Sequence, residues 1–96
     1  MTTRELLARR RAELIAAAAR HRASNLRVFG SVARGTDRPD SDVDFLVDFD
    51  AQASLFDLIE LKEEIESLLG RSADVLTPDS ISPFLKERIL AEAQPL

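Results

Sequence analysis

The sequence predicts a small α/β (α+β) fold, a mixed sheet of at least three strands flanked by helices. Three observations lead there. Residues 42–50 alternate polar and apolar side chains with the period of a strand. Two longer stretches open on capping-box patterns, Thr2-x-x-Glu5 and Ser54-x-x-Asp57, and continue with helix-forming residues. Short apolar runs bounded by turn residues supply two further strands. Together they give the order helix, strand, short helix, strand, helix, strand, helix. We find no repeat, linker or low-complexity tract, so residues 1–96 are expected to form one domain.

The first helix is predicted from about Thr3 to about Arg22, with Leu7, Leu14, Ile15 and Ala18 on its inner face. Ser24-Asn25 breaks it, and Leu26–Phe29 reads as a short strand ending at Gly30. Ser31–Arg34 is one or two helical turns stopped by Gly35, followed by a polar loop to Ser41. In the next strand Val43, Phe45, Val47 and Phe49 form a buried face, and only Leu46 breaks the alternation. A helix then runs to Leu69, inner face Leu55, Leu58, Ile59, Ile65 and Leu69, and Gly70 ends it. Ala73–Leu76 is the third strand. Ser82 as N-cap and Pro83 at the first position open a last helix that stops near Ala93.

Composition narrows the function. At 45% hydrophobic and 31% charged residues the chain suits a soluble globular protein. Without cysteine it has no disulfide or thiolate metal site, which is compatible with the cytoplasm. The longest apolar run, Leu14–Ala19, is far too short to span a bilayer, and arginines interrupt any leader-like segment at the N-terminus. No membrane role is therefore expected. The net charge of −4 is uneven: residues 1–38 hold nine Arg against three acids, and residues 39–96 hold four bases against fourteen acids. An acidic chain without Trp or Tyr is poorly equipped for direct nucleic-acid binding. The Arg9-Arg10-Arg11 run reads most simply as a solvated helix face, and as a docking surface for an acidic partner in the sharper reading. His21, the only histidine, reads as a surface helix residue.

The residues that carry chemistry lie in three places. Gly30 at a strand end and Ser31 opening a helix make an anion site, because glycine admits close backbone approach and the helix start offers free N–H groups. Arg34 adds a guanidinium, and Gly35 keeps the next turn open. A plain strand–turn–helix connection would look the same in isolation. Asp42 and Asp44 sit on one strand face, roughly 6–7 Å apart along it at ~3.3 Å per residue. Two carboxylates completed by phosphate oxygens suit magnesium. A solvated strand face is the alternative, and it is the reading adopted for Asp48 and Asp50. A calcium loop starting at Asp40 fails, because Phe45 stands where glycine is required and Ala51 where a bidentate glutamate is required. Asp74 is a lone carboxylate on the third strand. It is either an exposed strand residue or a ligand for a second magnesium that also takes the proton from an attacking hydroxyl.

The combination Gly30-Ser31-x-x-Arg34-Gly35, then Ser41-Asp42-x-Asp44, then Asp74-Val75-Leu76, resembles the polymerase-beta-like nucleotidyltransferase superfamily. It is closest in pattern to the minimal nucleotidyltransferases (MntA-like antitoxins), and the likeness extends over nearly the whole chain. The resemblance implies the small nucleotidyltransferase core. It also implies a triphosphate held at Gly30 and Ser31, with Arg34, Gly35 and Ser41 alongside, and two Mg2+ ions on Asp42, Asp44 and Asp74. A hydroxyl then attacks the α-phosphate of ATP and pyrophosphate leaves. Such proteins are typically antitoxins of a HEPN-domain RNase toxin, and some transfer AMP to a toxin tyrosine. A chain this small leaves acceptor recognition largely to the partner, in a homo- or hetero-oligomer. The alternatives are an antitoxin that acts by stoichiometric binding, and a small-molecule nucleotidyltransferase.

Overall fold

A computed structural model describes all 96 residues. Its elements are α1 (Thr3–Arg20), β1 (Ala23–Phe29), α2 (Gly30–Arg34), β2 (Val43–Phe49), α3 (Leu55–Leu69), β3 (Ala73–Leu76), α4 (Pro83–Glu92) and β4 (Gln94–Pro95). A single 3-10 turn, Pro78–Ser80, precedes α4. The sheet has four strands in the order β3-β2-β1-β4. β1 runs antiparallel to β2 and β4, whereas β2 and β3 are parallel and joined through α3. The mixed sheet flanked by helices is as the sequence predicts.

Both predicted capping boxes form, Thr2 with Glu5 and Ser54 with Asp57: the Glu5 N–H donates to the Thr2 hydroxyl at 3.1 Å and the Ser54 N–H to the Asp57 carboxylate at 2.9 Å. The main core of sixteen residues fills the space between one sheet face and α1 with α3. Val43, Phe45 and Val47 point into it from β2, as do Ala73 and Val75 from β3 and Leu61, Ile65 and Leu69 from α3. A smaller core of Phe29, Leu46 and Ile81 lies on the opposite sheet face, with Ile89 and Ala93 of the α4 end packed against it. This second core explains why Leu46 breaks the alternation: it is fully buried on the face otherwise given to aspartates.

Several expectations need correction. α1 ends at Arg20, and β1 begins at Ala23, three residues earlier than predicted. Arg22 and Asn25 take positive φ, and a bulge between Ser24 and Arg27 lets the Ser24-Asn25 turn signal sit inside a strand. Ile15, Leu55 and Ile59 are exposed, because Ala17 beside Leu14 and Leu61 with Ile65 point to the sheet instead. Ser82 makes no side-chain cap. His21 is no free surface residue. Its Nε2 lies 2.7 Å from a Glu64 carboxylate oxygen, with Arg20 paired to the same glutamate, so it fastens α1 to α3. No helix is long and apolar enough to cross a membrane.

Candidate active site

β1 passes directly into α2 at Gly30, which takes a φ of +73°. That left-handed value disfavours any residue with a Cβ. A second constraint acts at the same atom: a Cβ on Gly30 would lie 2.2 Å from Oδ2 of Asp44. The bare glycine is therefore the cradle in which the Asp44 carboxylate rests. Strand register brings the two together, since Phe29 pairs with Asp44. Asp44 pairs in turn with Asp74 across the parallel β2–β3 ladder, and directly paired residues share a sheet face. Asp42 stands just ahead of β2, within electrostatic reach of Asp44.

The three carboxylates differ in setting. Asp44 is half-buried, whereas Asp42 and Asp74 are exposed. Asp74 is exposed because β3 is an edge strand. Its backbone is nonetheless pinned through Ala73, whose N–H donates to Glu66 at 2.9 Å and whose carbonyl accepts from Lys62 at 2.6 Å. Burial, then the negative charges of Asp74 and Asp42, push the Asp44 carboxyl up from 3.8 to about 6, against the pull of Arg34. The site thus concentrates negative charge that a cation would relieve. No three carboxylate or imidazole groups stand close enough to form a ready-made cation cage.

Of the other sequence candidates, Ser31 lies in the first turn of α2 beside Gly30, and Arg34 closes the same short helix. Gly35 adopts φ +74° as the α2 C-cap, and nothing lies within 4 Å of where its Cβ would be, so its task is to end the helix. The Ser41 hydroxyl accepts from the Arg38 N–H at 2.9 Å, and its carbonyl accepts from Arg71 at 2.6 Å. Gly30, Ser31, Arg34, Asp42, Asp44 and Asp74 therefore gather at one end of the sheet, whereas Gly35 and Ser41 shape the loop between them.

Glu92 is the neighbour that sequence reasoning missed. Its carboxylate accepts from the Gly30 N–H at 3.2 Å and from the Arg34 guanidinium at 2.5 Å. Burial pushes this carboxyl up, but those two bonds and the Arg34 and Arg88 charges outweigh it and hold the group below its ordinary value. An anion thus already sits in the fork formed by Gly30 and Arg34, and a phosphate bound there must displace it. A residue near the end of the last helix, 62 positions after Gly30, leaves no local pattern to announce this contact. The largest cavity, about 610 Å³, is lined by Thr3, Arg4, Asp37 and Arg71 among others and includes none of the three aspartates. The carboxylates instead face an open surface.

Comparison with known proteins gives this geometry a context. The family described as nucleotidyltransferase domain matches residues 13–96. A Methanocaldococcus jannaschii chain provisionally named a protein adenylyltransferase is 49% identical over 74 residues, covering 77% of this chain and 80% of that one. The protein adenylyltransferase MntA of Thermococcus cleftensis is 45% identical over 65 residues, covering 68% and 66% respectively. A solved structure provisionally named a minimal nucleotidyltransferase superposes with a TM-score of 0.87 at 46% identity, covering 100% of this chain and 97% of its own. A toxin–antitoxin solved with AMP-PNP shares the fold at a TM-score of 0.73 and 21% identity, covering 88% of this chain and 69% of its own.

Proposed function

The chain belongs to the nucleotidyltransferase domain family, and from that premise we propose that it is a magnesium-dependent protein adenylyltransferase. On this reading it transfers AMP from ATP to a hydroxyl, a tyrosine in the first instance, of a HEPN-domain RNase toxin, and so serves as that toxin's antitoxin. The observation that carries the reading is the Asp44–Asp74 pair beside the side-chain-free Gly30, with the Asp44 proton held to about pH 6 by burial and like charge. Such a cluster gains most from a hard divalent cation completed by phosphate oxygens, and it stands at the start of a turn whose N–H groups suit phosphate. The names of the relatives support a protein acceptor.

The residues divide the work as follows. Gly30 and Ser31 receive the triphosphate, and Arg34 turns from Glu92 to a phosphate oxygen. Asp42, Asp44 and Asp74 would hold magnesium, which would neutralise phosphate charge and favour ionisation of the attacking hydroxyl. The acceptor oxygen bonds to the α-phosphorus, the bond to the β-phosphate bridge breaks, and pyrophosphate departs. Asp74, exposed at the edge, takes the acceptor's proton.

Calorimetry tests the site. ATP binding is expected to need magnesium and to be lost in Gly30→Ala, where the new methyl collides with Asp44 and the backbone is strained by ~1–2 kcal/mol. Equal affinity in excess chelator would refute the reading. The stoichiometric alternative has its own support in Phe56 and Phe84, which are 73% and 96% exposed and offer apolar area to a partner.

A further inference from the structure

The sheet anchors Asp42 on one side only, where the Val43 N–H donates to the Ser72 carbonyl at 3.0 Å. Asp42 precedes β2, and pairing with β3 begins only at Val43 opposite Ala73. Ahead of it the loop has short-range bonds, the Ser41 N–H to the Arg38 carbonyl and the Arg38 N–H to the Ser41 hydroxyl, both 2.9 Å. These shape the loop without tying it to the fold. The tie next to Asp42 itself comes from Arg71, two residues ahead of β3. Its guanidinium donates to the Ser41 carbonyl at 2.6 Å, to the Arg38 carbonyl at 3.0 Å and to the Thr3 hydroxyl at 2.5 Å. It lies 3.8 Å from Asp37, whose carboxylate also accepts from the Thr3 hydroxyl at 2.6 Å. Only 15% of the Arg71 side chain is exposed.

We propose that Arg71 is a positioning residue for Asp42: its guanidinium locks the peptide between Ser41 and Asp42, and thereby aims the Asp42 carboxylate at the Asp44–Asp74 pair. The geometry requires a planar fork. Two carbonyls and a hydroxyl from different segments are met by nitrogens in a fixed plane, which a lysine ammonium on a flexible stem cannot reproduce. Arg71 also supplies a reason for the order of the chain. The α3–β3 connection and the loop into β2 arrive side by side, since the Val43 N–H donates to the Ser72 carbonyl at 3.0 Å. One side chain from the first can therefore hold the second. The inference rests on the proposed role of Asp42 as a magnesium ligand.

The test pairs a readout of loop order with a readout of metal binding. Hydrogen exchange of metal-free protein is followed at residues 38–43 in the parent and in Arg71→Lys, and Mn2+ binding is measured by electron paramagnetic resonance in the presence of ATP. Positioning predicts faster exchange confined to this loop, unchanged exchange in β1 and α3, and Mn2+ affinity weaker by about 10-fold or more, the scale seen when a group that orients a metal ligand is lost. Arg71→Ala should deepen both effects. Exchange that rises everywhere together, or a loop loosened with Mn2+ affinity unchanged, would overturn the proposal and leave Arg71 a structural staple. If the parent itself bound no Mn2+ with ATP, the proposed function would fail. The inference would fail with it, although the exchange result would still show whether Arg71 holds the loop.

Discussion

Asp44 is held in the fold at a cost to stability, and pH reveals it. Its carboxyl titrates near 6 in the fold against an ordinary 3.8. The folded chain therefore holds this proton more tightly than the unfolded chain does, and stability from this group is lost as pH rises through about 6. Asp44→Asn removes that loss. In metal-free protein the variant should melt a few degrees above the parent at pH 7 to 8, ~4–8 °C per kcal/mol for a domain of this size. The half-exposed setting keeps the gain toward the small end. The advantage should shrink as pH falls from about 6 toward 3.8 and vanish below that, where Asp44 is protonated in both states. Calorimetric scans across this range check it, and an equal or lower melting temperature at pH 8 would contradict the Asp44 environment described above.

At the scale of elements, α2 and α4 are coupled through one carboxylate. Glu92 bonds both Gly30 and Arg34, the groups proposed to receive phosphate. Removing its charge should favour a competing anion. Glu92→Gln is expected to tighten ATP binding about fivefold, on the order of 1 kcal/mol for a partly exposed ion pair. Unchanged or weaker binding by isothermal titration would mean that the nucleotide does not displace this side chain. Such coupling was invisible in the sequence, whereas most elements were legible there. Alternation in residues 42–50 located β2 and the face of Asp42 and Asp44, and capping boxes located α1 and α3. Local periodicity could not tell which of Leu14 or Ile15, or of Ile59 or Leu61, faces the sheet, because that depends on where α1 and α3 meet it. The two-residue β4, with a proline, has no strand signal of its own. It exists because β1 offers it an edge. Arg71 was likewise unreadable, since its three acceptors include two backbone carbonyls more than 25 residues away.

Across the whole molecule, most arginines of the first third act as internal staples, whereas Arg9 makes no such bond and Arg10 pairs only with Glu13 on its own helix. Arg4 reaches the Ala33 carbonyl and Gln94, Arg11 the carbonyl of Leu96, Arg20 Glu64, Arg27 Asp48 and Arg34 Glu92. Arg20, Arg27 and Arg34 are thus paired with carboxylates from later in the sequence, while Arg9 and Arg10 stay exposed on α1. A partner is also offered the open carboxylate face and the exposed Phe56 and Phe84. Catalysis and plain docking both fit such a surface, so the two must be separated by chemistry. The most direct measurement is intact-mass analysis of the proposed HEPN toxin partner after incubation with ATP, magnesium and either the parent or Asp44→Asn, with toxin RNase activity scored on the same samples. The account predicts that the parent adds AMP to a toxin tyrosine and silences it, while Asp44→Asn adds none within the same time, a loss of at least ~10²-fold in rate, and leaves the toxin active. A toxin silenced equally by both proteins, with no gain in mass, would contradict it.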